Sequence, residues 1–219
     1  MKEEMIAAAK DEDIDIRRFF NALPEQTLLH SEHVAALTRL LLFYARQEGI
    51  CESEPLPLPL DHIGRAVLYH DVGMAFIPER LLQKTEELTG AERRVVQRHA
   101  SYGAKLIDKF RTSHPYPPEE ESTWRLAAEV AGSHHERWDG KGYPFGLLAT
   151  ASPLVSRAAA ITDTYDAIVR GSPFRMALPH EYALFEIADN AGTQFDPDLV
   201  DIFNRYETEI CITGQVMPN

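Results

Sequence analysis

Apolar residues recur three and four positions apart through most of this chain, and no segment shows the sustained alternation of a strand. Over residues 13–23, Ile14, Ile16, Phe19, Phe20 and Leu23 predict a short amphipathic helix that packs on the main body. Over residues 27–47 the stripe Val34, Leu37, Leu41 and Tyr44 predicts a longer helix. His30 extends that stripe inward, and His33 lies near the same face, which makes it the alternative candidate ligand on this helix. Pro55, Pro57 and Pro59 exclude helix from residues 54–59. A third helix starts near Leu60, carries Ile63, Val67 and His70 on one face, and is stopped by Gly73. Thr89-Gly90-Ala91-Glu92 has the form of a capping box, and the helix it opens aligns Val95 or Val96, His99, Tyr102 and Leu106.

Beyond a proline-rich loop at residues 114–118, Ser122 is expected to cap a helix in which Ala127, Val130 and Ala131 lead to His134. The glycines of residues 138–144 end it. Ser152-Pro153 predicts an N-cap and first-turn proline for a helix carrying Ala159, Asp163 and Asp166. Pro179 and Asp196-Pro197 signal two more. The pattern therefore predicts an all-α fold of about eight helices, with an irregular glycine loop.

Composition narrows the possibilities. A chain of 219 residues suits one domain with a short extension, here residues 26–219 preceded by a helical extension at residues 1–25. The net charge of −12 argues against a surface for polymeric nucleic acid. A small phosphate ligand stays open, because bound cations would reverse the sign locally. Cys51 and Cys211 are too few for a disulfide framework. No apolar run approaches the roughly 18 residues of a membrane span, and the acidic start Met1-Lys2-Glu3-Glu4 lacks the apolar stretch of a secretion signal. A cytoplasmic protein is expected.

The chemistry gathers around His70-Asp71, where a helical pattern meets Gly73. His30, His99, His134, His135 and Asp163 recur at the ends of other apolar stripes. A lone histidine on an apolar face is most simply a core residue bonded to a backbone carbonyl, and His62, His114 and His180 are left in that class or on the surface. Adjacent residues such as His134-His135 point about 100° apart on a helix, but both can turn to one site where the helix frays. Together the seven supply imidazole nitrogens and carboxylate oxygens without thiolate. Such a set suits iron, manganese, zinc or nickel better than magnesium or calcium. Seven ligands exceed the need of one ion, so two ions bridged by Asp71 are expected. Two ions roughly 3.5–4 Å apart can acidify a bridging water and stabilise in-line displacement at phosphorus.

The order His…His-Asp…His…His-His…Asp resembles the HD-domain metal-dependent phosphohydrolases. The run from His134-His135-Glu136-Arg137-Trp138-Asp139-Gly140-Lys141 to Gly142-Tyr143-Pro144 is similar to the signature of the HD-GYP family, which degrades cyclic di-GMP. The resemblance implies an HD-domain helical bundle with a GYP loop and makes all seven residues metal ligands. Asp71 and His70 stand at the catalytic centre, and two transition-metal ions, iron or manganese ahead of zinc or nickel, serve as cofactors. It implies hydrolysis of cyclic di-GMP to pGpG, and onward to GMP, through a metal-bridging hydroxide. Lys141, Tyr143, Arg157 and Arg175 become candidate substrate contacts. The GYP loop becomes a docking point for a diguanylate-cyclase (GGDEF) domain, with a second copy of the chain as another candidate partner and no membrane. No receiver domain is expected ahead of Gln26.

Three positions depart from the family pattern. Gln26 stands where some members place a third-metal glutamate, and the adjacent Glu25 is rotated about 100° away on a helix, so two metals are expected. Met74 replaces a lysine and Ser172 an arginine, which removes two phosphate contacts. Two other functions follow from those losses: a cyclic di-GMP binding or scaffolding protein of low turnover, or a hydrolase of another nucleotide.

Overall fold

Prolines set most of the helix starts. The computed structural model describes residues 15–113, 115–171 and 176–216. Among the described residues run ten α-helices: α1 (Ile16–Asn21), α2 (Glu25–Gln47), α3 (Leu60–Val67), α4 (Glu79–Leu82), α5 (Gly90–Ser113), α6 (Pro118–Ser133), α7 (Leu154–Arg170), α8 (His180–Asp189), α9 (Pro197–Arg205) and α10 (Glu207–Val216). Pro24, Pro59, Pro78, Pro117, Pro153 and Pro179 each stand immediately before a helix, in the extended conformation and with no side-chain cap. The fold is all-α, as its pattern predicts, and no strand occurs among the described residues. Two helices exceed the eight expected: the single turn α4, and α10, which Tyr206 separates from α9.

The capping box forms at Thr89, whose amide donates to Glu92 Oε2 at 2.9 Å while its hydroxyl accepts from the Glu92 amide at 3.3 Å. Ser122 and Ser152 do not cap. Ser122 lies inside α6 and donates to the Pro118 carbonyl, while Pro153 itself precedes α7. The first amide of α7, that of Leu154, is capped from a distance by Glu54 Oε1 at 3.0 Å.

α7 is the central helix. Leu154, Val155, Ala158, Ala159, Ala160, Ile161, Tyr165 and Ile168 are all buried, and its alanines let α2 approach closely. Where the two helices meet, Thr38 and Thr162 hydroxyls pair at 2.7 Å. α2 also packs on α3, and α5 packs on α6 and on the 3-10 turn Val72–Phe76. α1 shares the same core through Ile16, Phe20 and Leu23, with Phe19 stacked on Phe76. No helix among the described residues is long and apolar enough to cross a membrane.

Candidate metal centre

Five elements converge on one buried spot. α2 supplies His30, the turn after α3 supplies His70 and Asp71, α5 supplies His99, the end of α6 supplies His134 and His135, and α7 supplies Asp163. Glycine brings the second and third of these together. A Cβ on Gly73 would lie 2.0 Å from the His99 carbonyl oxygen and 2.6 Å from the Gly103 amide nitrogen. Only a residue without a side chain lets the His-Asp turn lie against α5. His134 is the residue that closes α6, so the frayed end turns both it and His135 inward, their ring centroids 4.0 Å apart.

Four of the five rings are oriented from behind. His70 Nδ1 lies 3.0 Å from the Val67 carbonyl, His99 Nδ1 2.7 Å from that of Val96, and His134 Nδ1 3.1 Å from that of Val130. A carbonyl only accepts, so each Nδ1 carries the proton and each neutral ring presents a bare Nε2 lone pair to the centre. His30 Nδ1 instead meets Asp166 Oδ2 at 2.7 Å.

The inward atoms form two groups that share Asp71: Asp71, His99, His134 and His135 in one, and His30, His70 and Asp71 in the other. In the first, Nε2 of His99 lies 3.1 Å from that of His135, 3.4 Å from that of His134 and 3.2 Å from Asp71 Oδ1. At the second, Asp163 Oδ1 lies 2.9 Å from His30 Nε2 and 3.9 Å from His70 Nε2. Ligand atoms bound about 2.1 Å from one ion stand roughly 3–3.5 Å apart, which is the spacing of the closer pairs here. His70 Nε2 and Asp71 Oδ1 are buried without a hydrogen-bond partner. Polar atoms are seldom left so unless something else satisfies them. The donor set fits a pair of transition-metal ions.

Electrostatics keep both carboxylates and the rings of His70, His134 and His135 in ligating form. Burial opposes ionisation of Asp71, but His70, His99, His134 and His30 outweigh it and hold the carboxyl far below the usual range. Asp163 is held down in the same way, chiefly against burial by His30 and then His135. Burial, followed by repulsion from His70, pushes His134 down to about 4. Burial also lowers His70 and His135. His30 goes the other way: burial pulls it down, but Asp163 and Asp166 together raise it.

The glycine loop closes one side. Glu136 is buried and accepts from the amides of Phe145 at 2.7 Å and Leu147 at 2.9 Å, so it belongs to the scaffold of the loop. A Cβ on Gly142 would fall 2.4 Å from the Arg137 amide nitrogen. Tyr143, before a cis Pro144, stacks on His135 with centroids 4.8 Å apart. Burial first, then Asp163 and Asp71, raise its phenol, so the hydroxyl stays protonated.

Other sequence-nominated residues lie elsewhere. Lys141 is exposed beside Asp139, with Nζ 3.6 Å from its carboxylate. Arg157 is not a phosphate contact: it is buried, its guanidinium paired with both Asp196 and Glu54 and seated over the Trp138 ring. Burying a cation requires such partners, and two carboxylates take up the donors a phosphate would need. Arg175, Ser172 and His114 lie outside the described residues. Gln26 and Glu25 are exposed, while Met74 is half-buried against the core. His62 pairs with Thr123 and Glu119, and His180 with Tyr165. Sequence reasoning gave no role to Asp166 and took His33 only as an alternative ligand. Asp166 falls one turn beyond Asp163, which was the one signal available.

A family model described as an HD domain matches residues 26–199, and the chain belongs to that family. A cyclic di-GMP phosphodiesterase of Thermotoga maritima is 31% identical over 212 residues, covering 95% of this chain and 53% of that protein. A 3′3′-cGAMP-specific phosphodiesterase of Vibrio cholerae is 33% identical over 181 residues, covering 83% of this chain and 35% of that protein. The solved HDG"Y"P protein Bd1817 of Bdellovibrio bacteriovorus shares the fold with a TM-score of 0.59 at 17% identity, over 86% of this chain and 55% of that one. The chain thus spans about half or less of these relatives' lengths.

Proposed function

We propose that the two ligand groups hold a pair of divalent transition-metal ions joined through Asp71, and that the chain hydrolyses the phosphodiester of a cyclic dinucleotide. The observation that carries this reading is the shared, buried Asp71 carboxylate, with His70 beside it and unpartnered ligand atoms facing inward. Bound there, the ions would supply Lewis acidity and an acidified water for in-line attack. Imidazole and carboxylate donors suit iron, manganese, zinc or nickel, and the family resemblance places iron or manganese first. Tyr143 offers a neutral hydroxyl donor at the rim. Cyclic di-GMP is the substrate we place first, opened to pGpG and then sought as GMP. A cytoplasmic setting agrees with Cys51 and Cys211 forming no disulfide. Phe145 and Leu148, exposed beside the GYP loop, offer the surface for a GGDEF domain; a homodimer is the other assembly to measure.

A second substrate is favoured by one observation: the 3′3′-cGAMP-specific relative is as similar as the cyclic di-GMP one. The test measures metal content by elemental analysis and turnover of cyclic di-GMP, 3′3′-cGAMP, pGpG and a panel of other nucleotides. Metal-dependent turnover of a cyclic dinucleotide is expected. Tight binding without turnover would support the scaffolding alternative, and neither metal nor nucleotide binding would overturn both.

A further inference from the structure

Behind His30 lies a polar cluster of Asp166, Arg170 and His33. Asp166 is 1% exposed. Its Oδ2 faces His30 Nδ1 at 2.7 Å, while its Oδ1 receives Arg170 Nε at 2.9 Å and lies 3.4 Å from His33 Nδ1. Arg170 Nη2 also reaches His33 Nε2 at 2.9 Å. Guanidinium only donates, so His33 Nε2 must accept and the His33 proton sits on Nδ1, facing Asp166. The carboxylate is therefore surrounded by donors on both oxygens and can act only as an acceptor. His30 must then give it the Nδ1 proton; its Nε2 faces Asp163 Oδ1 at 2.9 Å, and when a metal takes the place of the Nε2 proton the Asp166 contact keeps the other on Nδ1, so that Nε2 is the ligating atom.

We propose that Asp166, braced by Arg170 and His33, is a positioning residue. It fixes the His30 tautomer and thereby sets occupancy of the His30–His70–Asp71 metal position separately from the other. The inference rests on the two-metal reading above. His70, His99 and His134 are oriented by neutral carbonyls of their own helices, and those contacts survive loss of Asp166. An anionic partner strengthens an imidazole as a ligand, and removing one typically weakens metal binding 10–100-fold.

The experiment titrates metal-free wild-type chain, Asp166→Asn and Asp166→Ala with Mn²⁺. Free ion is followed by electron paramagnetic resonance, and the His30 ring nitrogens by ¹⁵N NMR before metal is added. Wild type should take two ions. Both variants should keep one at wild-type affinity and bind the second about 10–100-fold more weakly, alanine worse than asparagine. The retained ion reports that the fold is intact. Two ions at unchanged affinity, or equal weakening of both, would overturn the proposal. If wild type binds no ion, the two-metal reading falls. The NMR arm still decides the positioning role: at a pH where the His30 ring has lost one proton, the remaining one should sit on Nδ1 in wild type and lose that preference in Asp166→Ala, and an unchanged tautomer in the variant would overturn the proposal.

Discussion

At Asp71, one carboxylate serves both ligand groups, so a single substitution reaches both metal positions. Asp71→Ala is expected to lower occupancy of both ions and abolish hydrolysis while leaving the far-UV helical signal in place. His62→Ala, outside the centre, should change neither. Normal turnover by Asp71→Ala would refute the shared-ligand mechanism. Titration gives a second prediction at this scale. His134 takes its proton near 4 when folded against an ordinary 6.5, so between those values the unfolded chain binds more protons and stability falls as pH falls. The lowered His70 and His135 act in the same sense. His30, raised when folded, acts in the opposite sense: its contribution is complete below 6.5 and lost as pH climbs through its folded value. Three against one, the metal-free protein should melt several degrees lower at pH 5 than at pH 7. Melting curves with chelator across that range test it, and a flat or rising trend toward pH 5 would reject it. The convergence of the seven nominated residues was readable, because most of them lie on or beside an apolar stripe that burial turns inward. Their braces were not. Asp166 meets His30 across 136 positions, and Arg157 meets Glu54 across 103, so helical periodicity carries no trace of either pairing.

Among the elements, what the apolar pattern conveyed well was the interior of each helix; what it conveyed poorly was where a helix begins. Ser152 and Ser122 look like caps, yet proline held near φ −55° with ψ near 145° stands at the start of α2, α3 and α6 without any side-chain cap. Proline's fixed φ suits either the N-cap or the first turn, and only ψ separates the two, which the residue type does not encode. The capping box at Thr89 was legible because both of its hydrogen bonds lie within four residues. Gly73 is not the helix stop expected of it, because α3 already ends at Val67 and the glycine sits in the following 3-10 turn; its constraint comes from α5. Gly73→Ala would drive a methyl into the His99 carbonyl, so the His-Asp turn must move off α5. We expect destabilisation of about 3 kcal/mol and weaker binding at both metal positions, since His70-Asp71 and His99 separate. Unchanged melting and metal stoichiometry in that variant would show that the close approach is not needed.

For the whole molecule, charge sets the terms on which a substrate arrives. The chain carries −12, and two divalent ions would still leave it strongly negative, facing a cyclic dinucleotide with two phosphate charges of its own. Among the described residues, the cations that sequence offered as counterweights are engaged elsewhere: Arg157 is paired with Asp196 and Glu54, Lys141 is exposed beside Asp139, and position 74 is methionine. Among the described residues, attraction then falls mainly to the ions, at contact distance, while the long-range field of a chain carrying −12 repels. Salt screens the long-range part first, because the Debye length shrinks from about 30 Å at 0.01 M to about 8 Å at 0.15 M. Electrostatically steered enzymes slow as salt is added; this one should do the reverse. With metal held saturating, kcat/KM for the cyclic dinucleotide is expected to rise between 10 and 150 mM NaCl by roughly twofold or more, mostly through KM. Stripping the metal should remove nucleotide binding altogether. A steep fall in kcat/KM over the same salt range would mean that cationic side chains, and not the metal centre, draw the substrate in.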